Sequence, residues 1–148
     1  MRVNLNLEDV LNGKILGGVT TVDAAETMRQ AVKMMAYNNF GALVVTHRGV
    51  PVGIVTERDV LRQSAEGDGY LDRTVEQVMT QDIVVATPSD DIESIKRIMT
   101  EKRIRHIPVV QDGKLVGIVS IGDVVKAQLT TTQAEARYLR DYIAGAYA

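Results

Sequence analysis

Apolar positions along this chain switch period in a fixed order, and the order runs twice. Short apolar runs over residues 19–22, 42–46 and 52–56 predict strands, and between the first two Met28, Ala31, Val32 and Met35 recur at helical spacing. The second half has the same plan: strands over 83–86, 107–110 and 115–120, and a helix whose Ile92, Ile95, Ile98 and Met99 share a face. The helices are expected to stop near Asn38-Asn39 and Lys102-Arg103. Asp23 follows the first strand of one half and Thr87-Pro88-Ser89-Asp90 that of the other, where a proline suits a helix start. His47-Arg48-Gly49 and Gln111-Asp112-Gly113-Lys114 are turns, the second with an Asp-Gly pair that favours a two-residue hairpin. A short helical segment precedes each first strand, and Leu11 is set over Val75 and Ile15 over Met79. Each half therefore reads β-α-β-β-α.

The repeat is sharpest at one corner. Gly53-Ile54-Val55-Thr56-Glu57-Arg58-Asp59-Val60 returns as Gly117-Ile118-Val119-Ser120-Ile121-Gly122-Asp123-Val124, an offset of 64 that also holds for Val45/Val109, Gly49/Gly113 and Val52/Val116. So long a period points to two fused equivalent halves rather than to a solenoid. The expected organisation is a first unit over 7–66, a linker over 67–73 beside Glu66-Gly67-Asp68-Gly69, a second unit over 74–130, and a C-terminal helix over 131–148. On that last helix Tyr138, Leu139, Tyr142, Ile143 and Ala146 form an apolar stripe without counterpart in the first half. Such a stripe either folds back on its own domain or packs on another copy of the chain, and the second is expected.

Composition narrows the classes. Of 148 residues, 45% are hydrophobic and 24% charged, ordinary for a globular domain. A net charge of -2 and a pI near 5.7 argue against a generally basic nucleic-acid surface. The absence of cysteine removes disulfides, thiolate metal sites and a thiol nucleophile. Met1 to Asp9 does not read as a secretory signal and no run reaches the ~18 apolar residues of a membrane span, so a cytoplasmic address is expected.

Each repeated corner is an apolar strand running into a hydroxyl residue and, three positions later, an aspartate at the start of a helix. The plain reading makes Thr56 and Ser120 N-caps and Asp59 and Asp123 early-helix acids that complement the dipole, worth ~0.3–1 kcal/mol each. The same groups also suit a nucleotide. An ionised carboxylate accepts from both ribose hydroxyls, and hydroxyls beside unpaired helix N–H groups donate to phosphate. Recurrence at the same place in both halves favours the second reading.

The doubled unit, its two corner motifs and Arg105-His106-Ile107-Pro108-Val109 resemble a tandem pair of cystathionine-β-synthase (CBS) domains, a Bateman module, from about Leu11 to Lys126. The C-terminal helix is similar to that of small stand-alone bacterial CBS-pair proteins. The resemblance implies an α/β (α+β) fold of two pseudo-symmetric units packed through their sheets, plus that helix. It also implies adenosine-containing ligands (AMP, ADP, ATP, NAD or S-adenosylmethionine) in clefts between the units, and a sensing or regulatory role. By that resemblance Val19, Thr80 and Ile83 line base slots, while Arg58, Arg105 and His106 meet phosphate, for which a guanidinium fork is best suited. Gly41 and Ala42 stand where the second half has Arg105 and His106, and Gly122 stands where the first has Arg58, so the two clefts are expected to differ in occupant. Ile107 and Pro108 complete the candidate set with Thr56, Asp59, Ser120 and Asp123.

There is no Gly-x-x-x-x-Gly-Lys-Ser/Thr loop and no His-Glu-x-x-His. Gly67-Asp68-Gly69 lacks a third glycine, and Ser120 lacks the glycine two residues before it that a hydrolase elbow needs. The methionines read as core or site lining, not metal ligands. The leading expectation is a non-enzymatic, ligand-sensing regulatory module, without metal or catalytic cofactor, that dimerises through its flat faces and C-terminal helix and acts on an effector protein in trans. The alternatives are an interaction protein assembling through those same surfaces, or a nucleic-acid binder using the basic run Lys96, Arg97, Lys102, Arg103 and Arg105.

Overall fold

The computed structural model describes residues 5–12 and 21–145, apart from the side chains of 130–135, 138, 141, 142, 144 and 145. Ile15, Val19 and Ala146, and the side chains of Tyr138 and Tyr142, lie outside the described residues. In chain order the elements are α1 (Leu7–Asn12), β1 (Thr21–Asp23), α2 (Met28–Asn38), β2 (Ala42–His47), β3 (Val50–Thr56), α3 (Glu57–Ser64), a 3-10 turn (Gly69–Asp72), α4 (Val75–Val78), α5 (Ile92–Lys102), β4 (His106–Gln111), β5 (Lys114–Ser120) and α6 (Ile121–Gly145).

Local chemistry sets the boundaries. Thr27 and Asp91, equivalent under the repeat, each accept a hydrogen bond from the third backbone N–H beyond them, at Gln30 and Ser94. Both helices end on a left-handed residue, Asn39 or Arg103, with φ 54 in each case. Arg48-Gly49 and Asp112-Gly113 have positive φ throughout (52, 78, 53 and 76), the paired left-handed conformation that turns a two-residue hairpin with the strands' own twist.

The first half forms the expected three-stranded sheet, β1-β2-β3, with β1 parallel and β3 antiparallel to β2. The second differs. Only β4 and β5 form a sheet, and the strand expected over 83–86 is reduced to a single bridge between Ala86 and Val109. Two prolines explain it. Ala86 donates to the Pro108 carbonyl (2.9 Å) and accepts from Val110 (2.8 Å). The next rung outward would need an N–H at position 88, where Pro88 replaces the Ala24 that makes the equivalent 2.9 Å bond to Thr46. The next rung inward would need an N–H from Pro108, where the first half has Val44.

Two apolar cores result, and each borrows its lid from the other half. Leu7 and Val10 of α1 are buried with Ile92, Ile95, Met99, Ile107, Val109, Val119 and Val124. Tyr70 and Val75 are buried with Val22, Met28, Ala31, Leu43, Val45 and Val55. Backbone bonds repeat the exchange: Leu7 N to Asp90 O (3.0 Å) and Glu8 N to Pro88 O (2.9 Å) match Val75 N to Glu26 O (2.7 Å) and Glu76 N to Ala24 O (3.0 Å). These pairs equate Leu7 with Val75, an offset of 68, so the expected match of Leu11 with Val75 is corrected by one helical turn. Glycine contacts agree, since Gly53 closes on Met79 and Gly117 on Leu11. The 67–73 stretch is docked rather than loose: Tyr70 is buried and its hydroxyl lies 3.0 Å from Ser64 Oγ. The C-terminal stripe rides on α6 itself, which runs unbroken from Ile121.

Candidate functional site

The site forms where the β3–α3 corner meets the segment leading into β4. Gly41 and Arg105, equivalent under the repeat, each accept from the first N–H of the following corner helix, at Glu57 (3.0 Å) and Ile121 (2.9 Å). Each corner is a reciprocal capping box. Thr56 N donates to Asp59 Oδ2 (2.8 Å) and Asp59 N to Thr56 Oγ1 (3.4 Å), while Ser120 N donates to Asp123 Oδ2 (2.9 Å) and Asp123 N to Ser120 Oγ (3.1 Å). The capping roles read from the sequence are thus present in both halves. They leave room for more at Asp59, whose Oδ1 makes no described bond and whose side chain lines an open cleft.

That cleft has a volume of about 290 Å³ and is walled by both halves. The first half supplies Gly41, Ile54, Thr56, Glu57, Arg58, Asp59 and Arg62, the second Arg103, Ile104, Arg105 and His106, and Thr80 lies at its floor. Thr80 is fixed there by a two-way backbone bridge to Ile54, at 3.0 and 2.9 Å. Four guanidinium groups against two carboxylates give the cleft a positive balance, opposite in sign to the chain as a whole. Gly41 keeps its mouth open: a Cβ at that position would lie 3.2 Å from His106 Nε2 and 3.3 Å from Glu57 Oε1.

Of the residues singled out from sequence, Gly41, Thr56, Arg58, Asp59, Thr80, Arg105 and His106 come together here. Ser120, Gly122 and Asp123 sit at the other corner and do not line this cleft, and Val19 is outside the described residues. Ala42 and Ile107 are buried behind it, Pro108 pairs with Ile118 inside the hairpin, and Ile83 is half-buried away from it. The lining also includes Arg62 and Arg103. Arg62 was legible, because it stands one helical turn beyond Arg58. Arg103 was read from the sequence only as part of the basic run, and its position depends on the left-handed cap that ends α5.

Among the described residues no group of three or more His, Asp or Glu side chains could hold a metal ion, and no helix is long and apolar enough to cross a membrane.

The family model for the CBS domain matches residues 8–66 and 75–130. A mitochondrial CBS domain-containing protein of Arabidopsis thaliana, CBSX3, is 40% identical over 128 residues, 82% of this chain. The chain spans only 62% of that relative's length. The crystal structure of the CBS-domain containing protein ATU1752 from Agrobacterium tumefaciens is 38% identical, with a TM-score of 0.78 over 83% of this chain and 92% of that one. The CBS domain protein PAE2072 from Pyrobaculum aerophilum, solved in complex with AMP, is 27% identical, with a TM-score of 0.72 over 80% of this chain and 89% of that one.

Proposed function

Because the chain belongs to the CBS-domain family, with two such units in tandem, we propose that it is a regulatory module that binds an adenosine-containing ligand between its halves. The cleft carries this reading. It joins a carboxylate with an unused oxygen to a cluster of four arginines, at about 290 Å³, close to the ~300 Å³ at which small-ligand sites begin. Asp59 accepts from the ribose hydroxyls, the Thr56 corner and the guanidinium groups hold phosphate, and Ile54 and Ile104 offer apolar contact to the base. A mononucleotide such as AMP fits that balance of charge and size, and a relative was solved with AMP bound. NAD or ATP are the longer candidates, and the other corner, with Gly122 in place of Arg58, is suited to a less anionic one.

The module acts by binding rather than by catalysis, in the cytoplasm, as two associated copies that pass occupancy to an effector protein in trans. Ligand shifts it only by preferring one arrangement of the halves over another. Titration calorimetry with AMP is the test. Asp59→Ala and Arg105→Ala are expected to weaken the Arg105-side site tenfold or more each. Unaltered affinity in both variants would remove the reading.

A further inference from the structure

Among the described side chains of α6 beyond Gln128, those of Leu129, Ala136, Arg137, Leu139, Arg140 and Ile143 are all exposed. The helix's last described side-chain anchors to the domain are at Gln128, which accepts from Lys96 Nζ (2.9 Å) and donates to Glu93 Oε1 (2.7 Å). From there the helix continues to Gly145, roughly 26 Å at 1.5 Å per residue. On its own a helix of that length is marginal in water, and this one crosses Thr130-Thr131-Thr132, a run of poor helix formers.

One stripe of α6 is open to solvent. Val125, Leu129, Ala136, Leu139 and Ile143 are all exposed, the four larger ones at 43%, 57%, 56% and 68%. With Thr132 they are spaced alternately four and three residues apart, the 3.5-residue period of a coiled-coil seam. This stripe is distinct from the one that buries Val124 against the domain. From the same spacing, positions 126, 133 and 140 flank the seam on one side as Lys, Gln and Arg, and 128, 135 and 142 on the other as Gln, Glu and Tyr. In a parallel pair each residue of the second set is placed against the partner's residue five positions later, which sets position 135, Glu, against position 140, Arg. In an antiparallel pair each set faces itself, and positions 135 and 140 are no longer opposed.

We infer that α6 beyond Gln128 forms a parallel two-stranded coiled coil with the same helix of a second copy. This rests on the two-copy reading above and specifies which surface joins the copies and in what orientation.

The natural chain has no cysteine, so single cysteines report cleanly. In a parallel seam Leu139→Cys and Ile143→Cys each face their own copy, within disulfide reach. Under mild oxidation of the full chain both are expected to form disulfide dimers at least tenfold faster than a control at exposed Asp68, Asp68→Cys. Leu139→Asp with Ile143→Asp is expected to reduce the mass by light scattering from two chains to one at micromolar concentration, leaving AMP binding within twofold. Arg140→Glu is expected to weaken the pair, and Glu135→Arg added to it to restore it. A wild-type mass of two chains with cross-linking no faster than the control overturns the seam and leaves the two-copy reading standing. A wild-type mass of one chain overturns both.

Discussion

A methyl group at position 53 would lie 2.5 Å from Met79 Sδ and 2.8 Å from the backbone oxygen of Thr80. At the equivalent Gly117 its three nearest atoms all belong to the Leu11 side chain, Cδ2 at 2.5 Å. A side-chain tip swings aside and a bridged carbonyl does not, so the two glycines are expected to differ. Gly53→Ala should lower stability to urea by about 2 kcal/mol, within the range for overpacked cores, and Gly117→Ala by less than about 1 kcal/mol. Equal losses would mean that the Thr80–Ile54 bridge yields. The glycine pair itself was visible as a repeat, but not its cause, since Met79 and Leu11 come from segments whose register only the packed structure fixes. Thr56 and Asp59 were legible because a cap is an interaction over three residues. Arg103 was not, because what brings it to the cleft is the other half of the molecule.

At the scale of elements, the exchange of α1 and α4 separates the sequence halves from the packed halves. The repeat at offset 64 was plain from strands and corner helices whose apolar pattern is strong. A helix of six residues carries too little periodicity to set its own register, and burial of Leu7 rather than Leu11 decides it. Removing Leu7 should therefore damage the distant half. Leu7→Ala is expected to cost about 2–5 kcal/mol and to speed hydrogen exchange at Val109 and Val119 more than at Val45 and Val55. Val75→Ala should reverse that pattern. Loss confined to the sequence neighbours of each substitution would refute the exchange. The missing third strand was readable in principle, since Pro88 and Pro108 each occupy a position where a rung needs a donor.

For the molecule as a whole, the cleft is the place where elements resting on both cores meet. The β3–α3 corner rests on the core that contains Val55, and Arg105 and His106 lead into the strand that carries Ile107. AMP at a hundred times its dissociation constant should stabilise the fold by about 2.7 kcal/mol and slow exchange both in α3 and in residues 103–106. Protection of one wall alone would mean that the ligand does not span the halves.

Exchanged lids also impose an order of events during synthesis. Leu7 and Val10 are synthesised more than a hundred residues before Ser120, where the strands that cover them end. At ~5–20 residues per second, the N-terminal segment waits several seconds or more with its apolar side chains uncovered. All residues of the core sealed by Tyr70 and Val75 are available well before those of the core that waits for Val119 and Val124.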